Sequence, residues 1–284
     1  MKKYFLLLLA SLSVILTSAQ DKPSYIIYNS KGKKVSYKKL MKSLSTSNVV
    51  MFGELHNNPI SHWLQYEVTK DLSTTKKLTL GAEMFEADNQ TALNQYLKGG
   101  IDAKALDTLA RLWPNHKTDY APLVDFAAKN QLEFIATNIP RRYANMVFKS
   151  GFEALNDLSD EEKTWIAPLP IPFDSELPTY KNILKMMGEH GSPELVMAQA
   201  TKDATMAHFI LKNYDENAIF IHYNGAYHSD FYEGILWYLK KQKPNLNYTT
   251  ITTVSQADIS KLSEEHLNKA DFIICVDEDM TTTY

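Results

Sequence analysis

The 284-residue sequence holds a single cysteine, Cys275, so no intramolecular disulfide can form. That thiol lies within the apolar run Phe272-Ile273-Ile274-Cys275-Val276, which reads as a core strand and makes the cysteine structural rather than reactive. A membrane-spanning run is also missing. The apolar stretch Tyr4 to Leu16 is shorter than the roughly 20 residues a span requires. No basic tract points to nucleic acid and no acidic tail to a disordered arm. The 30 Lys and Arg and 33 Asp and Glu are mixed along the chain and leave a net charge of −3. Repeats and low-complexity tracts are absent.

What the N-terminus does contain is an export signal. Lys2 and Lys3 precede the apolar run, and Thr17-Ser18-Ala19 supplies the small residues a signal peptidase needs. Residues 1–19 are expected to be a signal peptide, placing the protein in the periplasm or outside the cell. A lipid anchor needs a cysteine at the cleavage point, where Gln20 stands, so none is expected. About 265 residues remain, enough for a single domain spanning residues 20–284. Sixteen tyrosines and twelve phenylalanines suit either a well-packed core or a site for a flat ligand.

Short β-rich runs alternate with helical stretches. Asn48 to Phe52, Leu78 to Glu83, Leu132 to Thr137, Ala218 to Tyr223, Tyr248 to Val254 and Phe272 to Val276 are mostly continuous apolar runs, the pattern of strands covered on both faces. Ser24 to Tyr28 and Lys34 to Ser36, flanking Asn29-Ser30-Lys31-Gly32, predict an N-terminal hairpin. Ile60 to Leu72, Asp88 to Leu97, Tyr120 to Lys129 and Glu194 to Leu211 read as helices. The expected fold is therefore α/β, a central mixed, mainly parallel sheet flanked by helices. Its parallel core would be the strands at Asn48, Leu78 and Leu132. Phe152 to Gly191, with its Ala167-Pro168-Leu169-Pro170-Ile171-Pro172 run and a capping box at Ser159 and Glu162, reads as a mobile, mostly helical insertion or lid.

Chemistry-bearing residues fall at strand ends, where open α/β sheets bind their ligands. Gly53-Glu54-Leu55-His56 follows the first core strand, Gly53 allowing a sharp exit, and Asn58-Pro59 then starts a helix. Glu83 ends the second strand, a costly place for a carboxylate unless it is paired or working. Asn224-Gly225-Ala226-Tyr227-His228 repeats the grammar of the first motif. Asn138-Ile139-Pro140-Arg141-Arg142 supplies guanidiniums that can grip an anion. Taken singly, each is as readily a capping group, a structural histidine or a surface charge. Their recurrence after separate strands gathers Glu54, His56, Glu83, Arg141 and His228 into one site. His222, inside a strand, reads as core. His62, His208 and His266 show no comparable setting, while His116 and His190 lie on segments near the insertion.

In order, Gly53-Glu54-Leu55-His56-Asn57-Asn58-Pro59, Ala82-Glu83-Met84-Phe85, Tyr120-Ala121-Pro122-Leu123, Asn138-Ile139-Pro140-Arg141, Gln199 with Asp203 and Met206-Ala207, and Gly225-Ala226-Tyr227-His228 resemble the ChaN-like haem-binding proteins of the Tiki-like superfamily. The resemblance runs from about Val49 to about Leu239. It implies haem as cofactor, a role in haem or iron uptake or trafficking, a homodimer holding haem between protomers, and an outer-membrane haem receptor as a partner. It also implies a tyrosine ligand to iron, for which Tyr120 is the first candidate, followed by Tyr143, Tyr180 and His190. Met186-Met187 would face the porphyrin, or else fill the core. The superfamily also implies an alternative, a metal-dependent peptidase or esterase. There His56, Glu83 and His228 would hold a divalent metal, Glu54 or His56 would act as base, and Arg141 would steady an anionic substrate. A third reading makes the chain a scaffold in which these polar residues do nothing.

Overall fold

The computed structural model describes residues 22–284, so the segment read as a signal peptide lies outside the described residues. The elements are, in chain order, β1 Tyr25–Asn29, α1 Tyr37–Leu44, β2 Val49–Glu54, α2 Pro59–Ser73, β3 Leu78–Glu86, α3 Gln90–Leu97, α4 Ala103–Leu109, α5 Ala121–Lys129, β4 Glu133–Asn138 and α6 Arg141–Ser150. There follow α7 Asp160–Lys163, α8 Pro178–Met187, α9 Pro193–Lys212, β5 Ile219–Gly225, α10 Ile235–Gln242, β6 Tyr248–Gln256 and β7 Phe272–Asp277. The seven strands form one sheet in the order β1-β7-β6-β2-β5-β3-β4, parallel throughout except for β1.

Both faces are covered, as continuous apolar strands demand. Along β2, Val50 and Phe52 pack with Leu64 and Val68 of α2 and Leu123 and Val124 of α5. Val49 and Met51 point the other way, into a layer with Tyr143 and Val147 of α6, Met206 and Ile210 of α9, and Leu236 of α10. Local signals set the helix ends: Asn58 accepts from the Ser61 amide with Pro59 next in the helix, and Ser159 with Glu162 closes a capping box.

β2, β3 and β4 are parallel as expected, with β5 lying between β2 and β3. One expectation is corrected. The N-terminal hairpin reduces to one bridge, Tyr28 to Lys34, and β1 pairs instead with β7, Ile27 opposite Ile274. Ile27 gains a buried layer there that a two-stranded ribbon cannot supply. On the outer side of β1, Val35 donates its amide to the carbonyl of Ile27, and Asn29 donates to that of Lys33. At the opposite edge, the Gln90 side chain donates to the Phe134 carbonyl and accepts from the Ala136 amide (3.0 and 2.7 Å), pairing with β4 as a strand would.

The Phe152 to Gly191 segment is helical only in short pieces, and its proline run is irregular. Leu155, Leu158, Ile166, Ala167 and Ile171 are nonetheless buried in the α6–α9 layer. Among the described residues no helix is long and apolar enough to cross a membrane.

Candidate functional site

The carboxyl ends of β2, β3 and β5 open into a cleft of about 1160 Å³ whose lining includes Glu54, His56, Glu83, Arg141 and His228. The sequence-derived site residues thus meet in one place. A second groove, about 1090 Å³, runs along the β4 edge and contains none of them.

Glu54 closes β2 and is buried. Its Oε1 accepts from His56 Nδ1 and from the Tyr120 hydroxyl, both at 2.8 Å, and its Oε2 accepts from Gln65 Nε2 at 2.6 Å. The backbone carbonyl of His56 is held in turn by His62 Nε2 and Asn115 Nδ2 (3.0 and 3.1 Å). The His56 ring is about one-third exposed, with Nδ1 tied to Glu54. Burial opposes a charge on it, but the hydrogen bond to Glu54 and the charges of Glu83 and Glu54 prevail and leave its pKa raised.

The second half of the floor centres on His228. Its Nδ1 donates to Asp203 Oδ1 at 2.5 Å, and its Nε2 lies 3.2 Å from Glu83 Oε1. Asp203 Oδ2 accepts from the Tyr180 hydroxyl at 2.9 Å, and Glu83 Oε2 accepts from the Gly225 amide at 2.7 Å. Burial disfavours the imidazolium, yet Glu83 and Asp203 outweigh it and push His228 up to about 10. Burial likewise opposes ionisation of Glu83, but His228, His56 and the Gly225 amide hold it well below the usual carboxylate range. Burial raises Asp203 against the pull of His228 and Tyr180. His228 is therefore a fixed cation and His56 the reachable base.

Two glycines make room for this arrangement. A Cβ on Gly225 would sit 2.7 Å from His56 Nε2 and 3.5 Å from Glu83 Oε2. Gly53 lies within β2 and does not provide the sharp exit expected of it. A Cβ there would meet Ala226 Cα and the Ile251 carbonyl, each at 3.1 Å, so close approach is what requires it.

Among the described residues no group of three or more His, Cys, Asp or Glu side chains is arranged to hold a metal, and both ring nitrogens of His228 face carboxylates, Asp203 and Glu83.

The tyrosine candidates lie in the interior. Tyr120, Tyr143 and Tyr180 are each at most 2% exposed, and each donates its hydroxyl to a carboxylate: Glu54, Glu162 and Asp203 respectively. Burial and those charges raise their phenol pKa values, further from the phenolate an iron ligand needs. His190, just after α8, is exposed and lies outside the cleft lining. Tyr227, between Ala226 and His228, is the tyrosine beside His228 with its ring in the open. It is 46% exposed, and its hydroxyl touches Met186 Sδ at 3.0 Å.

Other participants sit in helices. Asp203, part of the resemblance but given no role there, falls at helical spacing from Val196, Ala200 and Ala207 on the apolar stripe of α9, and a lone acid on such a stripe is the signal that could have assigned it one. His62, which showed no distinctive setting, is buried 3.6 Å from both Glu54 and Asp119. His222 is core as expected, bonded to Thr137 and Asn224, with burial bringing its pKa down to about 4.

A doubly covered, mainly parallel sheet with a His–carboxylate relay at its strand ends defines an α/β protein with a cleft above β2, β3 and β5. The chain belongs to the family described as haem-binding uptake, Tiki superfamily, ChaN, whose model matches residues 40–239. Among solved structures it is similar to ChaN of Campylobacter jejuni with cofacially bound haem. That match has a TM-score of 0.65 and 18% identity and covers 88% of this chain and 96% of that one. A succinoglycan biosynthesis protein (TM-score 0.54, 10% identity) and a Bacillus cereus protein (0.53, 12%) each match 84% of this chain and 90% of theirs. At these identities the likeness is one of fold. A chloroplastic Reticulata-related 5 protein of Arabidopsis thaliana is 25% identical over 192 residues, 62% of this chain. The chain spans about a quarter (26%) of that relative's length.

Proposed function

We propose that this protein binds haem at the mouth of the cleft, with the Tyr227 hydroxyl as the ligand to ferric iron. The observation that carries this reading is the exposure of Tyr227, 46%, on the cleft directly beside His228, where Tyr120, Tyr143 and Tyr180 are buried and committed; Tyr284 also lines the cleft and is exposed, but is not adjacent in sequence to the relay. A hard phenolate oxygen suits ferric iron, and a thioether is a weak acceptor that a metal can replace. The cleft, about 1160 Å³, is roomy beside the roughly 300–1000 Å³ of ordinary ligand pockets, and Leu112, Trp113, Pro114 and Val254 offer apolar wall to a flat macrocycle. Bound haem would supply the redox-active iron; the chain's own residues would hold it and restrict water. In this reading residues 1–19 export the chain, the haem is in transit during uptake or trafficking, two copies enclose it, and an outer-membrane receptor delivers or accepts it. Haem titration followed by absorbance tests the site: wild type should show a saturable Soret shift, and Tyr227→Phe should weaken it about tenfold or more. An unchanged affinity would remove Tyr227 from the reading.

The Glu54–His56 pair supports a second reading, hydrolysis. Nδ1 of His56 is held by Glu54 while the ring edge faces the cleft, the arrangement of a general base with its orienting carboxylate. Ester or peptide turnover that His56→Ala abolishes, without loss of fold, would favour it. Turnover that survives the change would sink it.

A further inference from the structure

Four lysines and arginines line the cleft. Two are spent: Arg111 on Glu86 and Asp88, and Lys269 on Asp230. Arg141 and Lys202 make no ion pair and donate no side-chain hydrogen bond among the described residues, although they flank the same space from neighbouring helices, α6 and α9.

Arg141 is exposed, and its position on the helix is a mildly unfavourable one for a cation. Arg141 is the first residue of α6, where Pro140 offers no capping side chain and the first turn holds no acid. That end carries the positive pole of the helix dipole and unsatisfied amides, so a cation there is disfavoured. Arg142, its neighbour, is balanced by Asp88; Arg141 has no counterpart. Lys202 lies one turn beyond Gln199, whose amide reaches within 3.1 Å of the His228 ring, so the unpaired charge adjoins the relay. It is half-buried, which strengthens any pairing relative to open water.

We infer that Arg141 and Lys202 form an anion-binding subsite that takes a carboxylate of the bound ligand. On the haem reading, on which this rests, that carboxylate is a porphyrin propionate, and the macrocycle lies with its acidic edge toward α6 and α9. The guanidinium can pair both carboxylate oxygens, while the ammonium acts as a point charge beside it.

The test compares haem with its dimethyl ester, in wild type and in the Arg141→Gln/Lys202→Gln double variant. Wild type should prefer haem over the ester by on the order of 10- to 100-fold. The double variant should bind both alike, near the wild-type affinity for the ester. A preference for haem that persists in the variant overturns the subsite, as does a wild type that never discriminates. If wild type binds neither porphyrin, the haem reading fails and a second arm decides the subsite. Succinate should raise the wild-type Tm above that in sodium chloride of equal ionic strength, with no such rise in the double variant. Equal responses overturn it. Arg141→Gln alone should leave the Tm unchanged or higher, because it removes a cation from a helix N-terminus; a lower Tm would make the residue structural.

Discussion

His228 and Asp203 share a 2.5 Å hydrogen bond that joins the end of β5 to the middle of α9, with Glu83 on the other ring nitrogen. The imidazolium is thus enclosed by two carboxylates.

The first expectation is a pH window. His228 is raised from 6.5 to about 10, so its contribution to stability is complete below about 6.5 and is lost as pH rises through about 10. Glu83 is depressed, so its contribution is present above about 4.5 and is lost as pH falls through its folded value. Imidazole NMR should find His228 still doubly protonated at pH 8, where His222, near 4, is neutral. Glu83→Gln should lower the His228 pKa and cost about 3–5 kcal/mol of stability, measured by denaturant unfolding. A His228 that titrates near 6.5 in wild type would refute the fixed cation.

Gly225→Ala addresses the other histidine. The added Cβ, 2.7 Å from His56 Nε2, forces the ring off Glu54 or the strand off Glu83. A stability loss of about 1–3 kcal/mol is expected, together with a fall in the His56 pKa as its bond to Glu54 loosens. Unchanged titration of His56 would mean that the ring has room to spare.

Much of this site was legible because strand-end chemistry is written locally: an apolar run, a glycine, then Glu54, His56 or His228. What was not legible came from pairing at a distance. Nothing within Ala218 to Tyr223 says that it inserts between β2 and β3, since parallel strands carry no local record of their neighbours. Ser24 to Tyr28 lies beside a turn, yet its partner is β7. Asp203, Gln65 and His62 sit on helices, where a polar residue ordinarily reads as solvent-facing; all three are buried against the strand ends. The tyrosines were chosen by motif and position, and only burial separates Tyr227 from Tyr120.

Tyr180 connects α8 to the relay, and Tyr180→Phe tests whether that bond restrains the Phe152 to Gly191 segment. Removing the hydroxyl leaves Asp203 Oδ2 without its donor, a loss of about 1–3 kcal/mol. Amide exchange should accelerate across Pro178–Met187 well beyond the change in the sheet. Uniform acceleration would mean that α8 opens only when the whole domain does.

Cys275 should be inert in the native protein. It is fully buried on β7, and burial, with Asp258 and Asp277 nearby, pushes its thiol up to about 12. A thiol reagent at pH 8 should label it only after denaturation, and labelling at native rates would mean that β7 breathes.

The Gln90 amide on β4 and the Lys33–Val35 backbone on β1 have a meaning at the scale of many molecules. Each occupies rungs that an incoming strand would use, so the sheet carries a stop at both ends. Copies of this chain meeting in a crowded compartment therefore find part of each edge ladder already taken, which disfavours edge-to-edge extension of the sheet.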